Sequence, residues 1–412
     1  MVSARAPLKS LDEAMAELLG HAQPALATEM VSTFDADGRV LAQDVVSALQ
    51  VPPQDNSAMD GYAVRCADVA AGVSLPVSQR IAAGNAGAPL QPGTAARIFT
   101  GAPVPLGADA IVMQEDCEAL DGGQVRINAV PPAGQWIRRA GEDITQGAVV
   151  LAAGTRLTPA ELGLAASVGL AQLQVARRPR VALFSTGDEL VMPGDVAPEQ
   201  MKPGAIYNSN RFFLRALLLR LGCEVTDFGI VPDQRDATIA ALRDASQQHD
   251  LILTSGGVSV GEEDHIKPAV ETLGTLDLWQ IAIKPGKPCA YGRVGAAHFL
   301  GLPGNPVSSF VTFLLLVRPF LLRLQGVPVE TLDIATKSIA ATAHFTWARG
   351  DKRREFMRVR RNTAGGVELF ANQSSGVLTS AVWGDGLVDN PPGRTIAHGD
   401  LVQFIPFATL LN

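Results

Sequence analysis

The stretch LTSGGVSVGEEDHIK, residues 253–267, runs from an apolar segment through a glycine-rich turn into the acidic start of a helix. This order is typical of one strand–turn–helix unit in an α/β domain. Gly256, Gly257 and Gly261 let the backbone approach a ligand, whereas the neighbouring carboxylates would repel a bare phosphate. A bound Mg²⁺ would allow phosphate and carboxylates to lie close together, because this ion is commonly held by one or two carboxylates together with substrate phosphates. The stretch predicts either a phosphate–metal site or a tight turn before a capped helix.

The same strand–turn–helix order recurs on both sides of this stretch. From residue 180, apolar segments alternate with amphipathic ones over about 145 residues. This alternation predicts a doubly wound α/β domain, with an open, mostly parallel sheet and helices on both faces. Its most distinct helical segment, NSNRFFLRALLLRLG, is expected to begin near Asn208 or Ser209 and to end at Gly222.

The segments that flank the α/β domain differ from it in composition and in predicted secondary structure. Residues 45–141 are rich in Gly, Pro and Val and predict a β-rich module with many turns. After residue 328, EFMRVRRNTAGGVELFANQ predicts two strands around a Gly-Gly turn, and DLVQFIPF predicts a closing strand. Two helix starts carry capping boxes, one from Ser10 to Glu13 and one in TPAE with Pro159 at the first helical position.

The composition narrows the class of protein. The formal net charge is −7 and no basic run is present, which argues against nucleic-acid binding. The 4 cysteines form no C-x-x-C pair and are expected to be reduced and packed as small apolar side chains. The apolar run at residues 310–322 is interrupted by Arg318 and Pro319, so it predicts a buried helix rather than a membrane span. The N-terminus lacks the apolar core of a signal peptide, and we expect a cytoplasmic protein.

Polar turns follow five successive apolar segments of the α/β domain. In a doubly wound sheet, such turns meet at one edge, beyond the carboxyl ends of the strands. Together they would offer glycine N–H groups, hydroxyls, carboxylates for Mg²⁺ and lysines for an anion. Each turn alone is equally typical of a capped helix or a rigid loop, but their coincidence favours a ligand site. The turns are STGDEL (185–190), VPD (231–233), SGGVSVGEED (255–264), IKPGKP (283–288) and GLPGNP (301–306).

Candidates outside the α/β domain are weaker. Asp60 lies in a polar loop and Thr100 before a Gly-Pro turn, and both have structural interpretations as turn residues. Asp143 in RRAGEDI is compatible with a surface ion pair. Arg358 lies among strand arginines whose default interpretation is a solvated face, yet arginine and a nearby Ser375 also suit a tetrahedral oxyanion.

Taken in order, the motifs resemble the MoeA family of molybdopterin molybdotransferases, to which the E domain of gephyrin is related. The resemblance extends from about residue 9 to the C-terminus and implies a transferase that converts adenylylated molybdopterin and molybdate into molybdenum cofactor and AMP with Mg²⁺. The motifs are DNSAMDGYAVR, TGAPVPLGADAIVMQED, RRAGEDI, STGDEL, SGGVSVGEEDHIK, IKPGKP and GLPGNPVSS.

The resemblance also implies an architecture. Four domains are expected in an elongated homodimer, with an α/β domain related to the molybdopterin adenylyltransferases facing the partner's N-terminal modules. A transient contact with that adenylyltransferase is a further expectation. The domains are an elongated two-segment domain (1–46 and 142–178), a β-rich domain (47–141), the α/β molybdopterin-binding domain (179–327) and a C-terminal β domain (328–412).

Roles for single residues follow from the same resemblance. Three carboxylates are candidates for metal or pterin contacts and are counted with the catalytic set: Glu189, Asp233 and Asp264. Three further catalytic candidates match family positions and are expected to act across the dimer: Asp60, Thr100 and Asp143. The substrate-binding candidates are Gly256, Gly257, Ser259, Lys284, Lys287, Pro303, Pro306, Arg358 and Ser375, of which Lys284, Arg358 and Ser375 suit molybdate.

One position departs from the family pattern. Members often carry lysine after the tryptophan that precedes IKPGKP, and here that position is Gln280. A lost cation would weaken oxyanion binding unless Arg293 or another residue compensates.

Two other functions stay open: molybdopterin adenylyltransferase activity, which would consume ATP without molybdate, and a non-catalytic scaffold on the same fold. A generic metal phosphatase is the remaining alternative if the resemblance misleads.

Overall fold

A computed structural model describes residues 8–24, 26–231, 234–257 and 265–411 of the chain. The first helix, α1 (Leu11–His21), begins with the predicted capping box, in which Ser10 N donates to Glu13 Oε2 at 2.8 Å. Its apolar face, which includes Leu18, belongs to the same buried cluster as the helices of the α/β domain. The helix therefore packs against the α/β domain, although its residues fall in the segment expected to belong to the elongated domain. Two short strands follow, β1 (Thr28–Ser32) and β2 (Val45–Val46).

The β-rich module is confirmed as a sheet of short strands. Its sheet has the order β7-β4-β6-β5-β9-β8, and a short strand at each end of the module lies outside it. The strands are β3 (Asn56–Ser57), β4 (Gly61–Val64), β5 (Val73–Ile81), β6 (Ala95–Ile98), β7 (Ala110–Met113), β8 (Cys117–Leu120), β9 (Gln124–Ile127) and β10 (Ile137–Arg138).

A two-stranded stem carries this module. The chain returns through β11 (Val149–Leu151), α2 (Pro159–Ser167) and β12 (Gln172–Ala176). Strand β2 pairs with β11, β3 pairs with β10, and Val51 bridges to Ile144 between them, so the outgoing and returning segments run side by side. Strand β1 pairs with β12, which unites the two segments at the base of the stem. Helix α2 begins at the predicted capping box, where Thr158 N donates to Glu161 Oε2 at 2.9 Å.

The predicted α/β domain is confirmed. Its sheet has the order β16-β13-β17-β21-β20-β18. Along the central strands, Leu183, Leu253 and Leu300 face one buried cluster, while their neighbours face a second cluster on the other side. The elements are β13 (Arg180–Thr186), β14 (Leu190–Val191), β15 (Ile206–Tyr207), α3 (Ser209–Arg220), β16 (Glu224–Val231), α4 (Arg235–Gln248), β17 (Leu251–Ser255), α5 (Ile266–Leu273), β18 (Gly274–Gln280), β19 (Ile283–Lys284), β20 (Pro288–Val294), β21 (Ala297–Leu302), α6 (Pro306–Thr312) and α7 (Arg318–Leu324).

The sheet differs from the expected pattern along one edge. The pairs β16–β13, β13–β17 and β17–β21 are parallel, but β21–β20 and β20–β18 are antiparallel. The reversal occurs at a tight turn between Val294 and Ala297, where Gly295 has φ +57. Glycine adopts this conformation without steric cost, and such turns join antiparallel strands.

The apolar run near residue 310 lies in a buried helix, as predicted. The helix Pro306–Leu324 is long and apolar enough to cross a membrane by length and composition, but 89% of its apolar window is buried inside the protein. Arg318 and Pro319 do not end it, because a π-helical turn at Phe313–Val317 leads directly into α7. Pro319 lies in the first turn of α7, where the missing N–H group of a proline is tolerated.

The C-terminal β domain closes into a barrel. Strands β23, β24, β22, β26 and β25 follow one another, and β25 pairs back with β23. The elements are β22 (Ile339–Ala343), β23 (Arg354–Arg361), β24 (Gly366–Leu369), α8 (Thr379–Trp383), β25 (Gly386–Asn390), β26 (Leu401–Pro406) and α9 (Phe407–Leu411). The Gly-Gly hairpin between β23 and β24 and the closing strand β26 are confirmed. The short strand β19 leaves the α/β domain and pairs with β23 in parallel.

The cysteines are free, as expected. Cys223 and Cys289 are buried, and burial raises the pKa of both thiols to about 12. Cys66 and Cys117 are partly buried, and burial is the main cause that raises their thiol pKa to about 11. These thiols stay protonated at neutral pH, which is the behaviour of packed structural cysteines.

Gly61→Ala should destabilise the β-rich module. A Cβ atom at Gly61 would lie 1.9 Å from Val112 O on the paired strand, so the strands must separate. We expect a loss of about 3 kcal/mol in the free energy of unfolding. Gly163→Ala is the matched control, because Gly163 lies in α2 with no atom within 4 Å of its Cβ position, and it should gain about 1 kcal/mol. Urea unfolding followed by circular dichroism measures both, and equal effects would contradict the assignment of Gly61 to a packed strand.

Candidate active site

A cavity of about 810 Å³ lies at the carboxyl ends of β13, β17 and β21. Thr186, Ser255 and Pro303, which lie at these strand ends, line it together with residues of the loops that follow. This is the edge of the sheet at which the sequence predicts a ligand site. The candidates that line the cavity are Glu189, Gly256, Gly257, Pro303 and Pro306.

Glycine is required at both positions of the turn after β17. Gly256 has φ +93 and Gly257 has φ +70, a region that other residues rarely adopt. A Cβ atom on Gly256 would lie 2.8 Å from Thr186 O, and one on Gly257 would lie 2.6 Å from Ile266 Cγ1. The turn therefore packs backbone against the neighbouring strand end and presents backbone to the cavity.

Two helices begin at the cavity. Asn208 caps α3, and its side chain accepts a hydrogen bond from Arg211 N at 3.3 Å. Asn305 precedes α6 and makes no side-chain cap. The first N–H groups of a helix carry partial positive charge and favour anions. Glu189 is the only charged side chain among the described residues that line the cavity. An anion there would depend on hydroxyls and on backbone N–H groups other than that of Gly256, which donates to Leu302 O at 3.0 Å.

Asn210 ties the cavity walls together, and the sequence reasoning missed it. Its Nδ2 donates to Ser255 Oγ at 2.8 Å and to Gly304 O at 2.7 Å, which joins α3, the end of β17 and the turn after β21. Asn210 is 8% exposed. A signal was present in the sequence, because Asn210 lies one helical turn before the buried Leu214 and is thus a polar residue on the apolar face.

Glu189 is the one metal-site candidate that the structure describes. Its carboxylate folds over Gly187, where φ is +137 and a Cβ atom would lie 2.5 Å from Glu189 Oε2. Thr186 Oγ1 is buried and has no hydrogen-bond partner among the described residues. A carboxylate and hydroxyl oxygens are the donors that Mg²⁺ prefers, so this edge of the cavity suits a hard cation.

The remaining metal-site candidates cannot be placed. Asp233, Asp264 and the substrate-binding candidate Ser259 lie outside the described residues. Within the described ranges, no group of three or more His, Cys, Asp or Glu side chains is arranged to hold a metal ion. The predicted three-carboxylate set therefore stays a prediction.

The lysines of the IKPGKP turn do not line the main cavity, contrary to the expected convergence of all five turns. Lys284 Nζ instead contacts Glu355 Oε1 at 3.1 Å and Asp351 Oδ2 at 3.3 Å in the C-terminal domain. Lys287 lines a neighbouring cavity of about 490 Å³ with Lys352 and other residues. The physical reason is that β19 pairs with β23 rather than with the α/β sheet. Among the residues of this turn, Pro288 reaches the main cavity.

An acidic pair anchors Lys284. Glu355 is 2% exposed, and its Oε2 accepts a hydrogen bond from Trp347 Nε1 at 2.9 Å. Asp351 accepts two side-chain bonds from Arg353, which hold the pKa of its carboxyl well below the usual range, with a further contribution from Lys284. Lys284 is therefore neutralised locally, whereas Lys287 and Lys352 have no carboxylate partner within 4.0 Å in the described part of the chain.

Arg358 lies behind a loop that borders the main cavity. It is 1% exposed, its Nε donates to Ser380 Oγ at 3.0 Å and its Nη2 donates to Ser374 O at 3.3 Å. Burial lowers the pKa of its guanidinium to about 10, so it stays charged at neutral pH. Ser375 O accepts a bond from Val307 N at 2.9 Å, and Gly376 lines the cavity. The solvated basic face that the strand pattern suggests is therefore wrong for Arg358.

The candidates in the N-terminal modules lie elsewhere. Asp60 Oδ1 accepts bonds from Thr100 N and Thr100 Oγ1, both at 2.8 Å, and the backbone bond is the main cause that lowers the pKa of this carboxyl. Asp143 is exposed beside the stem, where its N–H donates to Val51 O at 3.0 Å. None of the three is among the residues that line the described cavity.

Comparison with known proteins decides the family. Residues 9–169 match the MoeA N-terminal region (domain I and II), residues 182–323 match a probable molybdopterin binding domain, and residues 340–407 match the MoeA C-terminal region (domain IV). The chain belongs to the MoeA family. The resemblance inferred from the motifs is thus confirmed.

Similar relatives cover nearly the whole chain. The molybdopterin molybdenumtransferase of Haemophilus influenzae is 39% identical over 98% of this chain and 100% of its own length. Molybdopterin molybdenumtransferase 2 of Mycobacterium tuberculosis is 41% identical over 88% of this chain and 90% of its own. Among solved structures, the molybdopterin biosynthesis moeA protein of Pyrococcus horikoshii has a TM-score of 0.82 at 27% identity, covering 97% of this chain and 99% of that one.

The departure at Gln280 has a structural context. Gln280 pairs with Pro288, whereas Arg293 stands opposite Thr275 at the far end of the same strand pair. Arg293 therefore does not take the place of a lysine at this position. Lys9 is closer, since its N–H donates to Gln280 O at 2.9 Å and its Nζ lies 5.2 Å from the centre of the Trp279 ring.

Asn210→Ala should destabilise the cavity wall. The substitution leaves Ser255 Oγ and Gly304 O without their shared donor, and we expect a loss of about 1–3 kcal/mol in the free energy of unfolding. Asn305→Ala is the control, because Asn305 is exposed and makes no side-chain cap. Urea unfolding compares the two, and a loss at Asn305 as large as that at Asn210 would refute the linking role.

Asp351 should make stability depend on acid pH. Its folded-state pKa is depressed, so its contribution is full above the unfolded pKa of about 3.9 and is lost as the pH falls further. Asp351→Asn should therefore reduce stability at neutral pH by about 1 kcal/mol, the upper range for a partly exposed ion pair. The difference from wild type should narrow on acidification.

Thermal unfolding from neutral pH to pH 2 measures this difference. Asp244→Asn on α4 is the control, since Asp244 is exposed and makes no ion pair within the described residues. If the difference in unfolding midpoint between wild type and Asp351→Asn stays constant on acidification, the ion pair does not stabilise the fold.

Proposed function

We propose that this chain inserts molybdenum into molybdopterin. Adenylylated molybdopterin and molybdate would be the substrates, and molybdenum cofactor and AMP the products. The observation that carries the proposal is the 810 Å³ cavity at the strand ends, built by a double-glycine turn and two helix N-termini. It lies within the segment that matches a probable molybdopterin binding domain, and the similar relatives are named molybdopterin molybdenumtransferases.

The cavity suits an anionic substrate with a large organic part. The protein carries a net charge of −7, so attraction of an anion has to be local. The first turn of α3 and the N–H of Gly257 would supply groups of the kind that bind phosphates, since the N–H of Gly256 already donates to Leu302 O and that of Val307 to Ser375 O. We assign the pyrophosphate and pterin of the substrate to this cavity, with Pro303 and Pro306 holding the turn that precedes α6.

Molybdate would approach from the cationic side of the IKPGKP turn. Pro288 lines the main cavity, and Lys287 lines the neighbouring one with Lys352 and Arg353. A tetrahedral dianion suits such cations, and Arg358 would add its buried charge from behind Ser375 and Gly376. The two thiol sulfurs of the pterin would replace one molybdate oxygen, which leaves as water with the two thiol protons.

Mg²⁺ belongs to the same proposal. Glu189 would hold the ion, together with Asp233 and Asp264, which lie outside the described residues. When bound, the ion would neutralise the negative charge of the pyrophosphate and so ease its hydrolysis to AMP. The unpartnered Thr186 hydroxyl belongs to a residue that lines the same cavity and supports the assignment as a further oxygen donor.

A homodimer would complete the site. Asp60, Thr100 and Asp143 lie in the β-rich module and beside its stem, outside the lining of the cavity. We therefore assign their action to the cavity of a partner subunit. Cytoplasmic location, the absence of a membrane or nucleic-acid partner, and a transient contact with the molybdopterin adenylyltransferase belong to the same proposal.

AMP release from adenylylated molybdopterin tests the proposal. Wild type with Mg²⁺ should release AMP faster when molybdate is present, and Glu189→Gln and Asp264→Ala should each slow release at least about tenfold, since each removes a metal ligand. Glu199→Gln is the matched control, because Glu199 is exposed in the same domain and does not line the cavity.

The alternatives give different results in this assay. If wild type releases AMP and both variants do so at the same rate, the reaction stands and the metal-site assignment is wrong. If wild type binds the pterin without releasing AMP, the scaffold function takes its place. Consumption of ATP without molybdate would indicate adenylyltransferase activity instead.

A further inference from the structure

A third cavity, of about 370 Å³, lies at the seam where three parts of the chain meet. Its walls come from the turn after β11, from α7 and from the segment that leads into the barrel. We call it the seam cavity. None of its lining residues lines either of the two cavities described above. The lining residues that matter here are Arg156, Arg318, Lys337, Thr155, Thr331 and Leu322.

Arg318 is a buried cation with almost no partner. It is 7% exposed, and its Nε has no hydrogen-bond partner among the described residues. Its Nη2 donates to Thr409 O at a long 3.4 Å, and Arg318 makes no ion pair within 4.0 Å in the described part of the chain. Burial and the nearby charge of Arg156 lower the pKa of its guanidinium to about 10, so it stays charged at neutral pH. A buried charge in this state is unfavourable unless an anion joins it.

Two further cations line the same cavity. Arg156 donates long hydrogen bonds to Gly38 O at 3.4 Å and Arg220 O at 3.3 Å. The charge of Asp37 acts on Arg156, but the two groups make no ion pair within 4.0 Å. Lys337 is half-buried and likewise makes no ion pair with a described residue. Three positive charges therefore line one small cavity that holds no carboxylate among its described lining residues.

We infer that the seam cavity is a binding site for a small phosphate monoester, with Arg156, Arg318 and Lys337 neutralising its dianion. Guanidinium groups present paired donors that match phosphate oxygens, and Thr155 adds a hydroxyl to the lining. Apolar side chains, including Leu322, form the rest of the wall and suit an organic group attached to the phosphate. The inference does not depend on the proposed molybdenum insertion.

Occupancy would lock the three parts of the chain together. Gly154 is closely packed here, since a Cβ atom would lie 2.7 Å from Gly326 O, so the walls of the seam already touch. A ligand that binds the folded state alone raises its stability by mass action. Such a site would couple the concentration of a phosphate ester to the arrangement of the stem, the α/β domain and the barrel.

Thermal unfolding and calorimetric titration with phenyl phosphate and with inorganic phosphate test the inference at constant ionic strength. Wild type should bind phenyl phosphate more tightly than inorganic phosphate, and both should raise its unfolding midpoint. Lys337→Gln should weaken this binding about tenfold, since it removes one direct charge contact. Arg318→Met should abolish phosphate binding at the seam cavity. It should also raise the unfolding midpoint of the anion-free protein, because it removes an unpaired buried charge.

Arg243→Gln is the control for a general charge effect, because Arg243 is exposed on α4 and lines none of the three cavities. It should titrate like wild type. Phosphate bound at the active site would persist in Lys337→Gln and Arg318→Met, so a titration unchanged in both variants would overturn the inference. A fall in the anion-free midpoint of Arg318→Met would likewise overturn it, since it would assign Arg318 a structural role in holding α9.

Discussion

The pairing of Ile283 and Lys284 with Arg354 and Glu355 fixes how the α/β domain meets the barrel. This two-residue strand follows the α/β sheet in the chain but pairs with the barrel sheet. Lys284 forms ion pairs with two barrel carboxylates and does not line the cavity. The main-chain bonds and the ion pair of Lys284 with the buried Glu355 hold the α/β domain against the barrel. The loop at residues 374–376 is thereby brought against the start of α6, where Ser375 O accepts from Val307 N. Gly376 of this loop lines the cavity.

The cavity and its surroundings divide their chemistry between backbone and side chains. On the α/β side, the backbone donors that face the cavity belong to the first turn of α3 and to Gly257, and no described cation lines this wall. Cations line the neighbouring cavity, where Lys287 and Lys352 make no ion pair within the described part of the chain and Arg353 is paired with Asp351. Backbone donors are held rigidly and suit a substrate that must be oriented, whereas lysines suit a small ion that must be attracted from solution. This division agrees with the proposed reaction, which has one large and one small anionic substrate.

Local signals in the sequence predicted the elements well, because each depends on residues a few positions apart. The capping boxes at Ser10 and Thr158, the Gly-Gly hairpin and the two-faced strands of the α/β domain are of this kind. Long-range pairing was not predictable in the same way. Lys284 and Glu355 are 71 residues apart in the chain, and the sequence around each residue does not predict their contact. The antiparallel edge and the linking role of Asn210 likewise depend on partners that the local pattern does not specify.

The stem has a consequence for the modularity of the chain. Where the β-rich module departs and returns, Ser47 N donates to Ala148 O at 2.9 Å and Gly147 N donates to Ser47 O at 2.8 Å. The two ends of the inserted module are thus hydrogen-bonded neighbours on antiparallel segments. Joining the chain directly across this point would require a loop of only a few residues. We therefore expect that the module can be lengthened, exchanged or deleted without breaking the main-chain pairing at the base of the stem.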